Sequence, residues 1–257
     1  MIVDTNVNLS RWPFRHLSGT EPAELVRDLR KHHITQCWVG SFDGIFHKDL
    51  SSANARLASE CQTHGSGLLL PFGSVNPKLP DWQEDLRRCS EQHRMRGIRL
   101  HPNYHGYTLA DPVFSELLNL AAARGLIVQL ALCVEDERTQ HPLVRVPPVD
   151  LAPLPDLIKA VPKLRIQLLN CYPQIRFNQL RSLATSGNVH FEISMAEGVG
   201  GVARWIDQLG LKRIMFGSHY PFFYLESALL KIQEAGLDQA QRTAIFEDNA
   251  KALLAQQ

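Results

Sequence analysis

The sequence lacks an excess of charge of either sign: 27 Lys and Arg stand against 26 Asp and Glu, a net charge of +1. With no basic stripe to neutralise phosphates, neither nucleic acid nor an anionic membrane surface is expected as a partner. Cysteine is scarce as well. Cys37, Cys61, Cys89, Cys133 and Cys171 contain no Cys-x-x-Cys pair, which argues against a zinc knuckle or a dense disulfide framework and for packed, reduced thiols. No apolar run approaches the ~18 residues of a membrane span. The opening Met1-Ile2-Val3-Asp4 has neither the basic nor the apolar region of a secretory signal, so a cytoplasmic location is expected. Gly-x-Ser-x-Gly, P-loop and His-Glu-x-x-His motifs are all missing, which leaves serine-hydrolase, nucleoside-triphosphate and zinc-protease readings without support. There is no Gly/Ser linker and no low-complexity tract, and residues 1–257 are read as one domain.

What the sequence does contain is a repeating alternation of short Val/Ile/Leu-rich runs with stretches of helical spacing. Strands are expected at 2–8, 36–41, 68–75, 97–101, 126–134, 164–170, 189–194 and 213–217. Thr20 before Pro22 and Asp111 before Pro112 look like helix starts, and Leu25, Val26 and Leu29 or Phe114, Leu117, Leu118 and Ala121 follow at helical spacing. Eight strand–helix units in about 250 residues fit an α/β fold, a single TIM-type (β/α)8 barrel. The stretch from Glu135 to Pro155, rich in proline, is expected as a long ordered loop after the fifth strand, a wall or lid at the face where such barrels carry their sites.

The strand ends would gather Asn6, Asn8, Arg99, His101, Gln129, Asn170, Glu192, Ser194 and His219 around one mouth. Period-two alternation puts Arg99 and His101 on the same side of their strand. An inward Arg99 could pair with a ligand carboxylate or with Glu192, and His101 and His105 could shuttle protons, ligate metal or simply pack. The run Phe216 to Tyr224 would add an apolar wall beside His219, with Tyr220 in the ligand-binding set.

These residues carry a resemblance. Val3-Asp4-Thr5-Asn6-Val7-Asn8-Leu9, Gly97 to Pro102, Gly217-Ser218-His219-Tyr220-Pro221 and the closing Asn249-Ala250-Lys251-Ala252-Leu253-Leu254 resemble the amidohydrolase-related (family 2) barrels over the whole chain. That resemblance implies a metal-dependent-hydrolase-like barrel and hydrolysis, or a related lyase step, on a small carboxylate, lactone or similar compound. It also implies a metal set of His-x-His on the first strand, a His near each of strands five and six, and an Asp on strand eight. The matching positions here hold Asn6 and Asn8, Gln129 or Ala131, Asn170, and His219. Amides are weak ligands for zinc, so the site is read as degenerate, with no metal ligand and no cofactor expected. His101 and His219 are then the general acid–base candidates, with Glu192 or Asp136 as orienter, and Arg99, Asn6, Asn8, Asn170, Gln129, His105 and Tyr220 would bind a small, carboxylate-bearing substrate. Three alternatives stay open: a catalytically silent barrel that binds a ligand or protein, a divalent metal such as zinc relocated onto His101, His105, His141 or His219, and a homodimer in which Trp12-Pro13-Phe14 meets a partner chain.

Overall fold

The computed structural model describes residues 1–172 and 174–256. Eight strands, β1 (Val3–Leu9), β2 (Gln36–Ser41), β3 (Leu69–Ser74), β4 (Gly97–Leu100), β5 (Ile127–Ala131), β6 (Arg165–Leu169), β7 (Asn188–Glu192) and β8 (Ile214–Met215), follow one another in a single sheet. Every neighbouring pair is parallel, from β1 with β2 through to β7 with β8. The seam is closed by backbone bonds from Thr5 N–H to the Phe216 carbonyl, from His219 N–H to the Asn6 carbonyl and from Asn8 N–H to the Tyr220 carbonyl. The expected (β/α)8 barrel is therefore present. Its last strand is shorter than the sequence pattern suggests, because residues 216–220 reach β1 through those separate bonds rather than a continuous ladder.

Several helices carry a proline that pre-sets the first turn. Pro22–Lys31 and Pro112–Ala123 bury the expected stripes, but the residues before them make no side-chain cap, and Glu21 rather than Thr20 is the cap residue of the first. Leu154 and Pro155, expected in the loop, instead open the helix Leu154–Ala160, where proline is tolerated because the first-turn N–H groups have no partner anyway. The rest of that loop is ordered: Val149 N–H bonds the Leu132 carbonyl, and the Gln140 side chain exchanges two hydrogen bonds with Val146.

One irregularity positions the site. Along β1 the register runs from Asp4 opposite Cys37 to Val7 opposite Val39, so three steps on β1 meet two on β2. This bulge re-phases the strand. Val3 and Thr5 face the barrel interior before it, and Asn6 and Asn8 face the interior after it. The interior below is dry and filled: Val3, Trp38, Phe72, Ile127 and Met215 pack with Leu253, and the Trp38 and Phe72 rings stack 5.0 Å apart. Cys37, Cys61, Cys89 and Cys171 are free and buried, and Cys133 is free and half-buried. Among the described residues no helix is long and apolar enough to cross a membrane.

Candidate functional site

Above the apolar floor lies a polar layer centred on Arg99, which is 1% exposed. Its Nε donates to Gln129 Oε1 at 2.9 Å, its Nη1 to the Val7 carbonyl at 2.9 Å and to Asn8 Oδ1 at 2.7 Å, and its Nη2 to the Trp38 carbonyl at 3.1 Å. Position 40 is glycine for a spatial reason: a Cβ there would stand 2.8 Å from Arg99 Nη1. Burial pulls the guanidinium down to about 9, while the Glu192 and Asp4 carboxyls pull it back up. Gln129 also donates to the Thr5 carbonyl and to Gln167 Oε1, and Gln167 donates to Thr5 Oγ1. The cation expected to face a ligand thus directs its hydrogen bonds to the protein.

Glu192, at the end of β7, is similarly committed. Its Oε1 accepts from Asn170 N at 2.6 Å, Ser194 Oγ at 2.8 Å and Asn6 Nδ2 at 3.3 Å, and its Oε2 accepts from Ser194 N at 2.6 Å. Burial raises its pKa and these donors lower it. It ties the ends of β1, β6 and β7 together, and none of these bonds goes to an imidazole. Asn6 Nδ2 also donates to Asn170 Oδ1 at 2.7 Å, and Asn170 Nδ2 donates to the Cys133 carbonyl. Asn170 and His219 both sit at positive φ, 56° and 58°, a strained setting of the kind that clusters at functional positions.

Asn6, Asn8, Arg99, His101, Asn170 and His219 converge on one cavity of about 10 Å³, room for about one water molecule. His219 Nε2 donates to the Val134 carbonyl at 2.7 Å, and its Nδ1, like that of His101, is buried without a partner. Burial depresses both: His219 falls to about 4, and His101 lies well below the ordinary histidine value. His105 lies outside this cavity, bonded through Nε2 to the Gly44 carbonyl and held to about 4 by burial. Gln129 sits one layer below. The Tyr220 hydroxyl donates to Asp28, on the helix packed outside the barrel.

Aromatic side chains cover the mouth. Trp12 sits at their centre, with Phe222 at 4.9 Å, Phe46 at 5.1 Å, Phe42 at 5.3 Å, Phe14 at 5.7 Å and Tyr104 at 6.3 Å between ring centroids. Phe222 also stacks on His219 at 5.0 Å. The segment Trp12-Pro13-Phe14 thus caps the barrel.

A larger cavity of about 310 Å³ opens beside the cap, walled by the long loop after β5 and the loops after β6, β7 and β8. The partition between the two spaces is one residue thick: Cys133 and Glu135 line the outer one and Val134 the inner, Tyr172 the outer and Asn170 the inner. The proline-rich stretch from Glu135, expected as a wall at this face, supplies half of the lining, and Tyr172, Gln174, Met195, Glu197 and Phe223, from three other loops, carry no motif or spacing that marks them.

Against known families, residues 15–255 match the amidohydrolase family. The chain belongs to that family. No curated protein matches it. Among solved structures, this amidohydrolase-family chain is similar to the 2,6-dihydroxybenzoate decarboxylase from Rhizobium, with TM-score 0.75, 14% identity and 98% of each chain covered. A 5-carboxyvanillate decarboxylase from Novosphingobium aromaticivorans, complexed with manganese and 4-hydroxy-3-methoxy-5-nitrobenzoic acid, aligns with TM-score 0.73 and 13% identity, covering 99% of this chain and 96% of that one. A dihydroxybenzoic acid decarboxylase from Polaromonas with bound manganese and 2-nitroresorcinol aligns with TM-score 0.71 and 12% identity, covering 98% and 96%. At these identities the likeness establishes the fold.

Beneath the mouth, Asp4 accepts from Asn6 N at 3.1 Å and Ser218 N at 3.0 Å, while its Oδ2 has no partner. Burial lifts its pKa to about 7. The folded chain therefore keeps a proton that the unfolded chain has already released, so this group's contribution to stability is present below pH ~4 and is lost as pH rises through 7. The depressed His101, His105 and His219 act in the opposite sense, losing stability as pH falls from ~6.5 toward 4. Comparing wild type with Asp4→Asn cancels the histidines. The variant should gain on wild type between pH 5 and 7.5 by an amount on the order of a few kcal/mol in urea unfolding, and parallel pH profiles for the two proteins would refute this.

Proposed function

We propose that this amidohydrolase-family chain acts on a small molecule at the C-terminal mouth of the barrel, by acid–base chemistry in a hydrolytic or related lyase step, without a resident metal ion. The observation that carries this reading is the pair His101 and His219. Two neutral imidazoles border one water-sized cavity, each with a buried and unpartnered Nδ1. Because His219 Nε2–H is committed to the Val134 carbonyl, its Nδ1 holds the lone pair that can take a proton from a water for a hydrolytic step, or carry the proton that replaces the departing carboxylate on the ring carbon in a lyase step. Burial makes it a weak base, so modest turnover is expected. Residues 1–257 act in this reading as one domain.

A divalent metal does not fit the donors at the mouth. Asn8 Oδ1 is taken by Arg99, and Asn170 Oδ1 by Asn6 and Ser194. That leaves two imidazoles where zinc sites take three or four protein ligands, beside a guanidinium that repels a dication. Among the described residues no group of three or more His, Cys, Asp or Glu side chains is arranged to hold a metal ion. His105 is held at Gly44, and His141 packs on Phe14 at 5.7 Å and accepts from Leu143 N, so neither supplies the third ligand.

The neighbours' ligands make small hydroxybenzoates the first compounds to try. Protein dialysed against a chelator should carry far less than one equivalent of zinc, iron or manganese by plasma mass spectrometry. It should still release carbon dioxide from 2,6-dihydroxybenzoate or 5-carboxyvanillate, with kcat falling about 100-fold in His219→Ala. Turnover that needs one manganese per chain would sink the metal-free reading. A second reading, a silent barrel that binds without reacting, is favoured by the 10 Å³ cavity and the aromatic cap above it. It predicts no turnover at any metal content.

A further inference from the structure

We infer that His105 is the positioning residue of His101: its Nδ1 lone pair takes the hydrogen bond of His101 Nδ1–H, which leaves the Nε2 lone pair of His101 for the inner cavity. The inference rests on the reading of His101 and His219 as the acid–base pair. It supplies the orienter that the sequence sought in Glu192 or Asp136, whose oxygens are committed to Asn170 and Ser194 and to Arg138.

The fold sets the two imidazoles on one turn. Pro102 opens the short helix Pro102–His105 directly after His101, and His105 N–H bonds the His101 carbonyl at 3.0 Å, so the two side chains stand one above the other. Their rings meet edge to face with 6.0 Å between centroids. His105 Nε2–H is spent on the Gly44 carbonyl at 3.0 Å, so the lone pair of the neutral ring is on Nδ1, an atom that is buried and unpartnered. His101 Nδ1 is buried and unpartnered as well, while its ring borders the inner cavity. Three ionisable side chains bear on His101: Arg99, His105 and His219. Arg99 has no lone pair, and His219 is held by the Val134 carbonyl and stacked on Phe222. His105 alone has an acceptor with nothing else to receive. The separation lies just beyond a direct bond, a gap that the soft χ2 of an imidazole closes, and catalytic hydrogen bonds are often long before substrate binds. Around His105 stand only backbone groups of Gly44, Ile45 and Val75 and the Tyr107 ring at 6.4 Å, so no carboxylate bears on either histidine among the described residues. When His101 accepts a proton on Nε2, the positive charge is therefore shared between the two rings through Nδ1–H, and the pair is neutral again once that proton is given back.

Histidine ring-nitrogen NMR of the full chain at neutral pH tests this without a substrate. His101 should carry its proton on Nδ1 and His105 on Nε2. His105→Leu removes the acceptor and should release His101 into a mixture of the two tautomers. His105→Gln should hold the Nδ1–H form, because one amide can donate to the Gly44 carbonyl and accept from His101; it also serves if the leucine variant does not fold. With a compound that the wild type turns over, kcat should fall about tenfold in His105→Leu at unchanged KM and return most of the way in His105→Gln. The inference is overturned by a proton on His101 Nε2 in the wild type, by a His101 tautomer indifferent to His105→Leu, or by equal kcat in the wild type and His105→Leu. The expected tautomers in a protein that turns nothing over would uphold the placement of His105 and count against the acid–base reading alone.

Discussion

Arg99→Met should lower the unfolding free energy by about 3–5 kcal/mol. The methionine fills much of the volume, so the loss is not chiefly one of packing. It comes from the acceptors left behind: the Val7 and Trp38 carbonyls, Asn8 Oδ1 and Gln129 Oε1 would each lose the donor that reaches it, far from water. The buried Asp4 and Glu192 carboxyls, both of which act on the guanidinium, would also lose its opposite charge, so the destabilisation should deepen above pH 7. Arg99→Lys should recover only part of the loss, since an ammonium cannot present the fork that meets acceptors on three strands. Urea unfolding at pH 6 and 8 measures both effects. A loss under about 1 kcal/mol would mean that the guanidinium is not what organises the layer.

Trp12→Ala should cost about 3–5 kcal/mol and open the mouth at the same time. The indole is 4% exposed and contacts rings contributed by the loops after β1, β2, β4 and β8, so its removal unties four segments at once. Each aromatic pair adds to the burial lost, by about 0.5–1.5 kcal/mol. Phe222 would lose its support and His219 would be exposed to solvent, so its pKa should climb from about 4 toward the ordinary histidine range. Histidine proton shifts followed by NMR read that change directly. A variant that unfolds at the wild-type urea concentration with His219 still depressed would show that the cap is not the seal.

The strands and their order were legible because a buried parallel sheet writes itself as short apolar runs between turn residues, and the inward face of β4 followed from period two, which the bulge in β1 breaks. The company those residues keep was not. Arg99 carries no mark of which acceptors it will meet: two are backbone carbonyls, and the space it needs is signalled only by Gly40, one glycine among 16. Glu192 was expected to orient a histidine, yet its oxygens receive Asn170, Ser194 and Asn6, because β6, β7 and β1 converge there in space and not in sequence. Tyr220 follows His219 directly but points to Asp28, since successive residues there face opposite sides of the barrel wall. The aromatic run after β8 was read as either wall or cover, and it divides: Phe222 joins the cap, Phe223 lines the outer pocket and Tyr224 is 80% exposed.

The bulge in β1 constrains how this chain can vary in length. Side chains alternate along a strand, so deleting one residue between Asp4 and Val7 would return β1 to plain register and exchange its two faces beyond that point. Val7, now fully buried among the helices, would turn inward against Arg99, while Asn6 and Asn8 would be driven into the hydrocarbon layer outside. An insertion there would do the same. Substitutions in this segment lose single hydrogen bonds, whereas a one-residue change in length rewires the whole layer, so insertions and deletions should be absent between Asp4 and Asn8 in any relative that keeps this interior.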